Sequence, residues 1–342
     1  MKIPHPPYSN YKWARTIALF FAALLLLISC STDKHFAFTS QQVLKIIGER
    51  PPLDADLATL APAGLQGATW LNLTAMRKSP LWPTLESILQ THYAGRLLSR
   101  DMVLKMIRQA DEILAVSGHR TGMTADGFVT LFKGNWDTAE IYRQLSTATG
   151  VKEVIVREQP MLRFSNIYIF ALTSKTLVVV SENLLESVQL LMLQQEKSLR
   201  DDKNFKDLNP REDGASVARY IRGDSKLNVN QMRSLPASYR KFASDARRAD
   251  AVLVFSDVIQ FATIIHMEKK DQADRVKRTI EKDVKNISSN ILIAMLGVKS
   301  LVKKLHVKAE DNTVSIAMKL NAKDVQKILQ LVEPIMQLQK MM

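Results

Sequence analysis

A chain of 342 residues is long enough for two ordinary domains, and with 46% apolar and 24% charged residues it has a globular rather than a disordered composition. Its single cysteine excludes a disulfide framework within the chain and a zinc site of the multi-cysteine kind. The net charge of +13 is unevenly spread: residues 201–342 hold 26 Lys+Arg against 18 Asp+Glu, residues 30–200 only 18 against 16. A basic second half favours anionic partners such as phospholipid headgroups, lipopolysaccharide or nucleic acid.

In chain order, residues 1–16 carry Lys12 and Arg15 and no acid, and the 12 apolar residues Ile17 to Ile28 follow. As a helix that run spans roughly 18 Å, short of the ~30 Å hydrocarbon core of a membrane but suited to the core of an export signal. It ends in Leu27-Ile28-Ser29-Cys30. This string resembles the lipobox of bacterial lipoproteins, with an apolar branched residue three before the cysteine and a small residue just before it. The resemblance implies cleavage between Ser29 and Cys30 and acylation, palmitate included, of the Cys30 thiol. It also implies an address in the bacterial cell envelope. Ser31 stands where aspartate often marks inner-membrane retention, so the expected site is the outer membrane, facing the periplasm. Two or three acyl chains hold firmly at about 0.8 kcal/mol per buried methylene. Export removes nucleic acid from the expected partners. The alternative is a plain secretory signal with a buried free cysteine.

Past a short tether, Pro51-Pro52 breaks any helix and Leu60-Ala61-Pro62-Ala63-Gly64 is a turn cluster. Alternation then predicts a strand over 68–73 and a helix from Ser79-Pro80 carrying Leu81, Leu85, Ile88 and Leu89. Strands follow over 112–117 and 128–133. A helix capped by Asp137 runs to Gly150, then come strands at 154–156, 167–170 and 177–180 and a helix from Ser181. The polar stretch 201–210 reads as a connector. The second pass predicts a strand over 216–221, a helix broken at Pro236, strands at 251–255 and 261–265, and a helix from Asp271 through Ile287. A hairpin at 305–308 and 313–318 over Asp311-Asn312 and a helix from Ala322 to Leu331 close the chain. Each half thus reads roughly β-α-β-β-α-β-β-α. The expected fold is α+β, two similar halves, each an antiparallel sheet with helices on one face. The expected divisions are a signal peptide at 1–29, anchor and tether at 30–60, a first half at 61–208 and a second at 209–342.

The segment 71–82 (Leu-Asn-Leu-Thr-Ala-Met-Arg-Lys-Ser-Pro-Leu-Trp) and the junction Phe132-Lys133-Gly134-Asn135-Trp136-Asp137 also resemble uncharacterised bacterial lipoproteins with repeated α+β bodies. That resemblance implies fold and location, and no activity.

The sequence carries little that points to catalytic chemistry. The six histidines show no helical i, i+4 pair and no His-Glu-x-x-His string, although His266 and His306 fall at strand positions that could be neighbours in a sheet. No Gly-x-Ser-x-Gly elbow, Walker-type loop or dinucleotide fingerprint occurs. Gly118 and Gly122 bracket a strand-to-strand turn, Asp201-Asp202 reads as solvated loop, and Trp70, Trp82 and Trp136 read as packing residues. No cofactor or metal is implied.

What stands out is basic charge within one helical stretch: Lys269, Lys270, Arg275, Lys277, Arg278, Lys282 and Lys285, with Lys299, Lys303 and Lys304 beyond. Interleaved acids offer i, i+4 pairs, Asp274 with Arg278 and Glu281 with Lys285. The seven are candidate contacts for an anionic surface. The expectation is therefore a lipid-anchored envelope protein with a non-enzymatic binding or scaffolding role. It would be tied to the membrane through Cys30, with anionic headgroups or envelope proteins as further partners. One alternative is a carrier of an apolar or amphipathic ligand in a groove between the halves. A second is an envelope hydrolase without a recognisable motif.

Overall fold

The computed structural model describes residues 56–83, 86–87, 100–118, 127–157, 159–192, 195–205, 208, 218–222, 240, 242, 244–289, 298–325 and 327. The described strands form one antiparallel sheet. They are β1 (Gly67–Asn72), β2 (Ala110–Gly118), β3 (Gly127–Gly134), β4 (Val151–Val156), β5 (Gln159–Phe164), β6 (Ile167–Thr173), β7 (Thr176–Ser181), β8 (Ala218–Arg222), β9 (Ala246–Phe255), β10 (Val258–Met267), β11 (Leu305–Glu310) and β12 (Thr313–Asn321). Helices α1 (Leu73–Arg77), α2 (Arg100–Gln109), α3 (Thr138–Ser146), α4 (Glu182–Met192), α5 (Lys270–Ser289) and α6 (Val298–Val302) accompany them. The fold is α+β, as alternation and helical periodicity led one to expect.

Across the sheet the strands run β11-β12-β10-β9-β8-β1-β2-β3-β7-β6-β5-β4. Outward from the central β1–β8 pair, the order is β1-β2-β3-β7-β6 on one side and β8-β9-β10-β12-β11 on the other. The repeat legible in element order thus recurs in strand order, and the hairpin β4–β5 is an addition to the first half. The blocks are joined by a ladder in which Gly67 to Leu71 face Arg222 to Ala218.

Several elements depart from expectation. Helix α1 and strand β5 carry no strong periodic signal, whereas α2 was missed although Val103, Leu104, Met106 and Ile107 stand at helical spacing. β5 contains Pro160, which argues against an interior strand because it cannot donate to a ladder. It is accommodated because β5 pairs with β6 only over Leu162–Phe164, leaving Pro160 opposite Ile155 of edge strand β4. The buried Tyr142 hydroxyl of α3, in reach of the Pro160 carbonyl at 3.2 Å and the Ile169 carbonyl at 2.9 Å, spans the gap. The described part of the supposed connector, residues 201–205 and 208, is folded. The Pro62–Ser198 bridge, the Ser198–Asp201 capping box and buried Leu199, Phe205 and Leu208 dock it on the first half. The helix broken at Pro236, the far part of the Ser79 helix and most of the final helix lie outside the described residues.

Cross-strand neighbours share a face, so register assigns the helices. Leu184 of α4 would meet a Cβ on Gly127, which places α4 over the Trp70, Leu114 and Leu131 face. In the second half, buried Ala273, Val276 and Ile280 of α5 pack with Met267 and Val314 and, at its border, Leu305 and Ile316. Leu305 opposes Met318, Phe261 and Leu253, and that row runs to Leu71. α4 and α5 therefore cover opposite faces of the continuous sheet. The main core spans both halves, from Trp70, Leu131 and Phe170 to Phe255, Ile259, Leu301 and Leu320.

Candidate functional site

The basic helix is the most charged of the described elements. Its apolar positions are committed: Ala273, Val276 and Ile280 are buried against the sheet, with Val284 packed at their border. At 100° per residue Arg275, Arg278, Lys282 and Lys285 fall within an arc of about 80° directly opposite that stripe. All four are exposed.

The seven candidate residues do not form one uniform patch. Arg275 is tied to Asp271 at 2.9 Å and Lys277 reaches Glu281 at 3.8 Å, so the ion pairs differ from Asp274–Arg278 and Glu281–Lys285. Lys269 caps the helix start, its backbone N–H donating to Gln272 Oε1 at 2.8 Å, and lies with Lys270 at the N-terminal end. Arg278, Lys282 and Lys285 remain as a ridge along the outward face, making no ion pair with another described residue. Exposed pairs such as Arg275–Asp271 contribute a few tenths of a kcal/mol. Exposed Lys269 and Lys270 at the helix start also make no ion pair with another described residue, so five of the seven cations are free to meet an anionic surface, three of them on the outward ridge.

Ser29 and Cys30 lie outside the described residues. His266 and His306 are not neighbours. His266 stands opposite Thr313 and His306 opposite Ala317, with strand β12 between them and a four-residue offset along it. Gly118 pairs with Gly127 where β2 passes to β3, so that glycine serves a strand-to-strand connection. Trp70 and Trp136 are buried in the main core and Trp82 packs against it. At the junction of the halves the described residues form a hydrogen-bonded ladder.

The perturbed ionisable groups serve structure. Burial pushes the Tyr142 phenol far above its ordinary range. The Arg143 and Gln144 hydrogen bonds hold the Glu140 carboxyl below its ordinary range. The Ser198 hydroxyl and backbone N–H do the same for Asp201. For Asp324 burial acts upward, but bonds from Lys304 and from the Asn321 N–H outweigh it and hold the carboxyl low. Among the described residues no three His, Cys, Asp or Glu side chains are grouped to hold a metal ion, and no helix is long and apolar enough to cross a membrane.

A second cationic feature was not recognised in the sequence. Val258, Lys303, Lys304, His306, Lys319 and Asn321 line an open depression of about 380 Å³. They come from three separate stretches of chain, and no linear spacing joins them.

No family model matches this chain, and no curated protein matches it significantly. Solved structures do resemble it. Crystal form III of TP0453 aligns with a TM-score of 0.53 at 9% identity, covering 81% of this chain and 99% of that one. Crystal form IV gives 0.52 at 8% identity, covering 84% and 97%. At such low identity the likeness is one of fold, and this chain shares with TP0453 an α+β architecture that accounts for most of both chains.

Proposed function

We propose that this chain is a lipid-anchored protein of the bacterial cell envelope, with a non-enzymatic binding or scaffolding role at a membrane surface. The anchor is the acylated thiol of Cys30, and the outer membrane facing the periplasm is its site. The observation that carries this reading is the position of the only cysteine, at the end of a basic segment and a short apolar run. Arg278, Lys282 and Lys285 support a headgroup contact, because their helix is held on the sheet by its apolar stripe and presents them outward. Such a helix lies on a charged surface without inserting. Each Lys or Arg near an anionic membrane surface contributes about 1 kcal/mol.

Mass spectrometry of the protein purified from membranes tests the anchor. The expected product begins at Cys30 and carries acyl chains on it, and Cys30→Ser releases it from the membrane fraction. A leader still attached, or a bare thiol, would remove the placement. Binding to vesicles tests the contact separately: preference for anionic over neutral vesicles, weakening with salt, is expected. Equal binding to both would remove the contact and leave the anchor standing.

A further inference from the structure

The cationic depression lies on the other side of the sheet from α5. Val258 stands opposite Asn321, Gln260 opposite Lys319, and His306 opposite Ala317, positions that alternate with the α5-facing Ile259, Leu320 and Leu305. The turn from α6 into β11 adds Lys303 and Lys304. Three lysines, a histidine and an asparagine therefore border one hollow.

Its charge is not balanced from within. Asp324, buried just beneath, takes the Lys304 ammonium. The Asp324 carboxylate also accepts the Asn321 N–H at 2.8 Å, and the Asn321 carbonyl oxygen accepts the Asp324 N–H at 3.0 Å. This reciprocal cap fixes Lys304 and leaves the Asn321 amide nitrogen as a donor. Among the described residues no carboxylate lines the hollow itself. Lys303 and Lys319 are exposed and make no ion pair with another described residue. With Asp324 offsetting one of the three lysines, about two positive charges remain uncompensated. The donors are the ammonium groups, the Asn321 amide and a His306 N–H, which an imidazole offers in either charge state.

We propose that this depression binds a phosphate monoester. Such a group carries about −1.5 to −2 charge near neutrality and three acceptor oxygens, which matches two free charges and side-chain donors from two segments of chain around one hollow. The hollow is larger than a phosphate group, with Val258 the one apolar residue beside the organic part of the ester. The proposal does not depend on the lipid anchor or on α5. The ester can be a soluble molecule or the headgroup of a lipid.

The test uses the full-length chain in neutral detergent, with inorganic phosphate as probe and chloride at matched ionic strength as reference. Phosphate is expected to raise the thermal midpoint of the wild type. It should leave that of a Lys303→Gln, Lys319→Gln double variant unchanged, with affinity down at least about tenfold for two lost charge-assisted contacts. Both side chains are exposed, so an unchanged urea midpoint without phosphate shows that the variant is folded. An Arg278→Gln, Lys282→Gln, Lys285→Gln variant should keep the response. Phosphatidylcholine vesicles carrying phosphatidic acid or phosphatidylglycerol at equal charge separate the sources. Preference for phosphatidic acid that depends on Lys303 and Lys319 marks a lipid headgroup. A response to free phosphate without that preference marks a soluble ester. If neither the phosphate response nor a phosphatidic acid preference depends on these two lysines, the proposal is overturned.

Discussion

The hydroxyl of Ser79 donates to the backbone carbonyl of Ser256 at 2.7 Å, joining residues 177 positions apart and fastening the first half to the β9–β10 turn of the second. The same buried hydroxyl accepts the N–H of Leu81 at 3.1 Å, so one side chain both starts the helical segment at 82–83 and holds it against the other half. Ser79→Ala would strip the carbonyl of its partner and the turn of its cap, at a cost of about 1–2 kcal/mol. Urea unfolding should show the midpoint fall with the slope unchanged. A variant as stable as wild type would mean that this contact does not couple the halves.

Lys304 and Asp324 make stability depend on acid. The native Asp324 carboxyl is held below its usual value, so its contribution is complete above the unfolded value of about 3.9. That contribution disappears as pH falls through the unfolded value and then through the lower native one. Asp324→Asn should therefore cost about 1–2 kcal/mol at pH 7 and progressively less below pH 4, because the wild type loses the same interaction there. Lys304 is about one-third exposed, which keeps the figure at the low end. Denaturant curves at several pH values check this, and a gap that stays constant down to pH 2 would refute it.

Gly118 is required by both its backbone and its neighbour. Its φ is +130°, and a Cβ there would lie 2.6 Å from Cβ of Gln66, whose N–H donates to the Ser117 carbonyl at 3.2 Å. Gly118→Ala must strain the backbone and displace Gln66 together, so a loss of about 2 kcal/mol is expected. A thermal midpoint within 1 °C of wild type would show that the β2 terminus can relax at no cost.

The sequence carried some of this and withheld the rest for identifiable reasons. Val314, Ile316 and Met318 alternate with Ser315, Ala317 and Lys319, so the strand and its wetter face were legible, as was the turn where Asp311 takes a positive φ of 49°. Asp137 announced its helix, and its carboxylate accepts the Ala139 and Glu140 N–H groups. Pro160 concealed β5, because the residue that forbids an interior strand in general is tolerated where the ladder has a gap. The β1–β8 pairing was invisible. Alternation says which face a residue takes and nothing about which distant strand lies beside it. The ion pairs on α5 were misassigned because several i, i+4 choices differ by only a few tenths of a kcal/mol. The lysines around the depression were visible singly, but only the turn at Lys304 and the end of β12 bring them together.

The claim that α5 presents charge while its apolar side stays on the sheet separates two kinds of substitution. Ile280 is buried with Val276 and Val314, and Ile280→Ala leaves a cavity beneath the helix, with an expected loss of about 2–5 kcal/mol. Arg278→Gln, Lys282→Gln and Lys285→Gln alter exposed positions without ion partners among the described residues. Stability should then stay within about 0.5 kcal/mol while binding to anionic vesicles falls. The two results are linked. If α5 instead left the sheet to enter a membrane, Ile280→Ala would weaken vesicle binding, and the triple variant would keep most of it. Paired unfolding and vesicle-sedimentation measurements on the two variants therefore decide between a helix that rests on a charged surface and one that enters it.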